Sequence, residues 1–258
     1  MSRVALRSAA LAYLGAILIA PVSLIFWRTF EHGLHPVWVS LSSDTTLHAL
    51  KLTVIITAIA VPANTIFGIA LALAIVRKRF PGKGLVNALV DLPLALSPVV
   101  VGLSLLLLYG RDGWIHLPFR VVFAVPGMVL ATIFVSLPFV VREVVPVLRE
   151  IGEEQEQAGA TLGASSAQIF RRITLPAIRW GVAYGVVLTT ARCLGEFGAV
   201  TVVSGRIVGQ TETLTIHVEQ SYDNFDVVGA YSASLVLALL AILTLVVMNV
   251  IKPKEPTQ

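Results

Sequence analysis

The sequence predicts an all-α protein that crosses a membrane six times as a single transmembrane domain over residues 1–258. Three observations lead to that fold class. Of 258 residues, 56% are hydrophobic and only 13% are charged, where a soluble globular domain carries about 25% charged residues. Mean hydropathy is +0.85. Apolar runs of roughly 20 residues recur along the chain, the length a helix needs to cross the hydrocarbon core. The sequence pI near 9.5 does not point to nucleic acid, because the basic residues border the apolar runs. The single Cys193 lies inside such a run and behaves as a small buried hydrophobe.

Taken in order, the spans are expected at about 9–27, 52–76, 85–109, 127–147, 181–203 and 227–251. The first follows Arg3 and Arg7 like a signal peptide. It is longer than a usual signal core and no clear small-residue cleavage site follows, so it reads as an uncleaved span. Prolines at 21, 62, 93 and 98 predict bent helices packed on one another. Pro138 and the Arg142-Glu143 pair interrupt the fourth run. With the N-terminus inside, thirteen Lys and Arg fall in cytoplasmic pieces: Arg3, Arg7, Arg77, Lys78, Arg79, Lys83, Arg142, Arg149, Arg171, Arg172, Arg179, Lys252 and Lys254. Four fall outside: Arg28, Arg111, Arg120 and Arg206. Both termini and the long polar segment at about 148–180 are therefore expected in the cytoplasm. The external segment 29–51 carries His32, His35 and His48 without close metal-ligand spacing and reads as a solvated loop. Residues 204–226, with Glu212, Glu219, Asp223 and Asp226, read as an acidic external loop.

The polar segment has its own punctuation. Residues 143–162 suit one helix, with Val147, Ile151, Ala158 and Leu162 on one face. Gly163 supplies a left-handed stop. Ser165 and Gln168 form an S-x-x-Q capping box, so a new helix starts at Ser166. Ile169, Phe170 and Ile173 give it an apolar side, and Arg171 and Arg172 a basic one. Pro176 cannot continue that helix and suits the first turn of the next. A second turn into the fifth span is expected there. The helix is too short to anchor on a membrane surface, and tight turns on both sides suit transmission of force.

Gly163, nine residues, and then Ile173-Thr174-Leu175-Pro176 resemble the cytoplasmic coupling loop of type I ATP-binding-cassette (ABC) import permeases, the MetI-like fold. Gln157-Ala158-Gly159 stands where that family has Glu-Ala-Ala, and Glu156 is one residue early. Asp91 to Gly102 and Ala191 to Gly205, followed by Gln210-Thr-Glu-Thr-Leu214, are similar to the sulfate/thiosulfate permease subunits, and within them to the second of two homologous permeases. Molybdate permeases are near neighbours through Gly195-Glu196-Phe197-Gly198. The resemblance implies a bacterial inner-membrane subunit, a homologous second permease as partner (a heterodimer rather than a homodimer), two copies of an ATPase and an external substrate-binding protein. It implies ATPase contact through Gln157, Ala158, Gly159, Gly163, Ala164 and Ser165, and through Gln168 to Arg171 with Ile173, Leu175 and Pro176.

No residue pattern suggests catalysis. The chain has no G-x-x-x-x-G-K-[ST] loop, and neither a metal nor a cofactor is expected. Intramembrane ionisable residues are the functional candidates. Arg192 is expected near the midplane with Glu196 at i+4. The two form either a neutralised pair or part of an anion path. Gly195 and Gly198 suit packing or a gate, and Ser97 is a further path candidate. Asp91 is expected in a capping or pairing role. A membrane enzyme would need clustered polar residues at one face. A self-sufficient secondary transporter, such as an anion carrier without an ATPase, would show an inverted repeat and more intramembrane charge. The substrate expected is sulfate or thiosulfate, with molybdate or tungstate next.

Overall fold

A computed structural model describes residues 3–251, and no strand occurs among them. Lys252 and Lys254 of the charge pattern lie outside the described residues. Helix α1 (Arg3–Leu14) passes through a π turn at Gly15–Ile19 into α2 (Ala20–Phe30). The segment expected to be a loop holds α3 (Leu34–Leu41) and the start of α4 (Asp44–Arg77). Ser43 caps α4 by accepting a hydrogen bond from the Thr46 amide at 3.3 Å, which starts the helix eight residues before the apolar run does. At 34 residues, α4 is about 51 Å long, more than the hydrocarbon core requires.

The third run is not one helix. It divides into α5 (Lys83–Ala95) and α6 (Pro98–Tyr109), bent by 110°. Pro98 disfavours helical backbone at Ser97, and Ser97 is extended at φ −62°, ψ 133°. Pro98 thus breaks the span rather than curving it, whereas Pro93 lies inside α5.

Helix α7 (Val125–Glu150) is the centre of the molecule, with α4, α5, α6, α10 (Leu175–Leu194) and α11 (Gly198–Ser204) all packed on it. Pro138 and Arg142 lie inside it without breaking it. Close packing comes from small residues, as expected where lipid removes the hydrophobic drive between helices. A Cβ on Gly68 of α4 would sit 2.8 Å from Val140, and one on Gly185 of α10 would sit 2.9 Å from the Val140 Cα. Two apolar cores result. Met128, Val135, Ala199, Val203 and Ile216 centre one. Ala72, Ile75, Val144, Leu148 and Ile178 centre the other. The outer surface is apolar as well, with Phe67, Leu107, Leu245 and Val250 exposed. A water-soluble protein rarely exposes so much contiguous apolar surface, whereas a lipid-facing one does. Five single helices and the bent α5–α6 pair are long and apolar enough to cross a membrane.

The chain continues through α8 (Glu154–Thr161) and the single-turn α9 (Ser166–Ile169) to α10. After α11 come α12 (Leu214–Asp223) and α13 (Val227–Ile251). The helix expected over 143–162 is therefore two, α7 and α8, separated at Gly152, whose φ is +66°. That left-handed value favours glycine and turns the chain. The segment 204–226 is not a solvated acidic loop. It contains α12, and Glu212 is buried against His217, with Nδ1 to Oε1 at 2.8 Å.

Candidate functional site

At one end of the bundle α8 and α9 form a corner. Gly163 has φ +82°. Its amide donates to the Ala160 carbonyl at 3.0 Å, and the Ala164 amide to the Gly159 carbonyl at 3.0 Å, which satisfies the last carbonyls of α8. The capping box forms as its spacing requires. The Ser165 amide donates to Gln168 Oε1 at 2.8 Å, and the Gln168 amide to Ser165 Oγ at 3.4 Å.

The second turn does not form. From Ser166 to Leu194 the chain is one helical run of 29 residues, with a π segment at Phe170–Thr174. The Leu175 amide donates to the Phe170 carbonyl, five residues back. Widening the helix by one residue just before Pro176 accommodates a ring that would meet the carbonyl of residue 172 in a regular helix. The corner is thus the base of α10 itself.

The faces of the corner are distinct. Gln157, Ala158, Gly163, Ser165, Gln168, Arg171 and Pro176 are exposed, whereas Ile169, Phe170, Ile173 and Leu175 are partly covered. Gly159 lets α8 approach this apolar side, because a Cβ there would lie 2.8 Å from Ile173 Cδ1. The apolar side of the short helix therefore faces α8 and not a lipid surface.

An ion pair that sequence reasoning passed over locks the corner. Arg77 Nε donates to Glu156 Oε2 at 3.0 Å and Nη2 to Oε1 at 3.2 Å. Arg77 also donates to the carbonyls of Leu148 at 3.0 Å and Gly152 at 2.6 Å. The buried Thr174 hydroxyl donates to Glu156 Oε1 at 2.8 Å. Arg77 and Glu156 are 79 residues apart, so no local spacing signals the pair.

Ser97, Arg192, Gly195, Glu196, Phe197 and Gly198 lie around two breaks in the bundle, that between α5 and α6 and that between α10 and α11. Ser97 is exposed and makes no capping bond with its side chain. Gly198 and Gly102 bring α11 onto α6. A Cβ on Gly198 would lie 3.0 Å from Pro98 Cβ, and one on Gly102 would lie 2.7 Å from the Ala199 carbonyl oxygen. Both act as packing residues in this conformation. Gly195 ends α10, where a Cβ would meet the Ala191 carbonyl oxygen at an ordinary 3.7 Å, and Phe197 is exposed.

Arg192 belongs to the last turn of the 29-residue run and lies at its end, not near its middle as expected, because the helix begins at Ser166. Its Nη1 lies 2.6 Å from Glu196 Oε2. The pairing is direct, although Glu196 lies beyond the end of the helix. Glu196 is buried, and its Oε1 accepts the Ala199 amide at 2.9 Å. Its carbonyl accepts the Thr215 hydroxyl at 2.9 Å. The site candidates thus form two groups. The corner residues are gathered on α8, α9 and the base of α10, and the path candidates lie at the far end of α10, the start of α11 and the break between α5 and α6.

Three further polar contacts join helices, the first of them in the pairing role expected of Asp91. Asp91 pairs with Arg142 (Arg142 Nε to Oδ1, 2.6 Å), joining α5 to α7. Asn64 donates to Ser136 Oγ at 2.7 Å within the α4–α7 packing. His217 Nε2 lies 3.0 Å from Thr46 Oγ1. Each joins residues distant in sequence, which single-sequence periodicity does not reveal.

This bundle, with a protruding corner at the base of one long helix, is the fold of an ABC-transporter membrane subunit. It matches a chain of a bacterial alginate ABC transporter with a TM-score of 0.77 at 17% identity, covering 96% of this chain and 91% of that one. A chain of the MetNI methionine ABC transporter matches with a TM-score of 0.56 at 16% identity, covering 80% and 96%. The chain belongs to the family of binding-protein-dependent transport system inner membrane components, whose model matches residues 64–255. It is 50% identical over 250 residues to the sulfate transport system permease protein CysW of Synechocystis sp., covering 95% of this chain and 91% of the relative. It is 50% identical over 234 residues to the CysW protein of Escherichia coli K12, covering 89% and 80%. The sulfate transport system permease protein CysT of Salmonella typhimurium is 33% identical over 249 residues, covering 95% and 90%.

Proposed function

We propose that this chain is the membrane permease subunit forming half of the translocation path for sulfate or thiosulfate in an ABC importer, with ATP hydrolysed by separate subunits. The observation that carries this reading is 50% identity to sulfate permease proteins along 95% of the chain. Relatives of both the CysW and the CysT kind support pairing with a homologous second permease. Two ATPase copies, an external binding protein, and a bacterial inner-membrane location with cytoplasmic termini complete the assembly. The Lys and Arg distribution supports that orientation.

ATPase docking falls on the exposed side of Ser166–Thr174. Because the corner is continuous with α10, a push there moves α10 as a rod and displaces Arg192 and the break at Gly195 at its far end. Arg192 paired with Glu196 leaves little net charge at that point, which suits transient passage of a dianion better than tight capture.

Two measurements test this reading. In vesicles holding the assembled transporter, a sulfate-loaded binding protein stimulates ATP hydrolysis and a molybdate-loaded one does not; the reverse result assigns the chain to molybdate. Arg171→Glu with Arg172→Glu, which reverses the exposed basic face without shifting the register of α10, abolishes co-purification of the ATPase. An ATPase that still co-purifies docks elsewhere.

A further inference from the structure

The Glu156 carboxylate is fully engaged within this chain, and that settles where its charge acts. One oxygen takes Arg77 Nε, and the other takes Arg77 Nη2 and the Thr174 hydroxyl. The Arg77 side chain is 12% exposed and that of Glu156 20%. The Arg77 guanidinium also bridges the last turn of α7, through the Leu148 carbonyl, to the turn at Gly152. Five chain segments therefore meet at one bidentate pair: the end of α4, the end of α7, the turn after it, α8, and the π segment that opens α10. A planar guanidinium with several of its donors used fixes orientation as well as distance. Gln157, the neighbouring residue, is exposed.

We infer that Glu156 and Arg77 are positioning residues that make the corner and the end of α4 one rigid joint, so that a push on α9 is delivered to α4 as well as to α10. The joint rests on the reading of this chain as an ABC permease. It needs no particular substrate. Its mechanical logic follows from the connectivity. Without the pair, α8 is held by the three-residue turn that joins it to α7 and by its packing on α9 and the π segment, and no hydrogen bond among the described residues joins it to α4. With it, α4 and α10, which both pack on α7, shift together. The Thr174 hydroxyl ties the pair to the point where the helix is widened before Pro176.

The test uses the complete transporter in vesicles. Glu156→Gln and Arg77→Gln, singly and together, are compared with the unaltered complex for ATPase co-purification, ATP hydrolysis, and anion transported per ATP. The ATPase stays bound in all three, while transport per ATP falls about tenfold in each, the scale expected for loss of one coupling element. The double variant is no worse than either single one. Loss of the ATPase from Glu156→Gln would show that the carboxylate serves the docking face and would overturn the inference, as would unchanged transport per ATP. A second measurement leaves the pair intact. Spin labels at Lys78→Cys and Gln157→Cys report one distance that stays constant between nucleotide-free and ATP-trapped complexes; a change overturns rigidity. If no binding protein stimulates hydrolysis in the unaltered complex, the substrate assignment fails, and the label distance still decides the joint.

Discussion

Gly102→Ala tests the idea that α6 and α11 meet at backbone contact. The added Cβ would stand 2.7 Å from the Ala199 carbonyl oxygen and 2.7 Å from Val202 Cβ, where ordinary contact begins at 3.4 Å. The two helices must then part by about 0.7 Å, because a carbonyl inside a helix has no rotamer by which to withdraw. Parting them opens the packing around Val101, Ala199 and Val203. Overpacking of this kind costs about 1–3 kcal/mol, which corresponds to a fall in unfolding midpoint of roughly 2–12 °C for a chain of this size. The assay is thermal unfolding of the detergent-purified protein. Gly84→Ala is the control, since nothing lies within 4 Å of a Cβ there and the residue sits in the first turn of α5. It leaves the midpoint unchanged or slightly raised. A Gly102→Ala protein as stable as the Gly84→Ala protein would refute close backbone packing at this crossing.

Three other outcomes follow from the contacts. Ser165→Ala removes the oxygen that accepts the Gln168 amide and costs about 1 kcal/mol locally; it raises the ATPase concentration needed for half-maximal assembly several-fold, and equal assembly would count against the cap. Arg192→Gln strands the buried Glu196 carboxylate and lowers stability by about 3–5 kcal/mol. Arg192→Gln with Glu196→Gln recovers most of that loss in thermal unfolding, and a double variant worse than the single would mean the pair is not the reason. His217→Ala leaves the Glu212 carboxylate buried without its nearest partner and lowers the unfolding midpoint more than His32→Ala, at an exposed site; equal midpoints would place His217 outside the core network.

Much of the corner was legible because its signals are local. Gly163 needs a left-handed backbone, and Ser165 and Gln168 reach each other across a single turn, so three residues suffice to read each feature. The Ser166-to-Pro176 stretch misled for the same reason. Proline is a strong local breaker, and only the structure shows that a π turn at Phe170–Thr174 makes room for its ring so that the helix continues. Ser97-Pro98 carried a bend signal whose size, 110°, depends on α6 finding α11 to pack against. Arg77–Glu156, the Arg142 partner of Asp91 and Glu212–His217–Thr46 were not legible because most of these partners are far apart in the chain.

By itself the sequence determined the class of environment, the helical fold, the number of apolar runs and the punctuation of the corner. These follow from hydropathy, charge placement and short-range backbone chemistry, which act within about 20 residues. Tertiary structure alone decided which glycines serve as contact points, how sharply the third run bends, and that the corner is the base of α10 joined to α4 through Arg77 and Glu156. Those outcomes are set by which side chains meet across helices. In a medium where apolar surface gives little preference for one neighbour over another, steric fit and buried polar pairs make the choice.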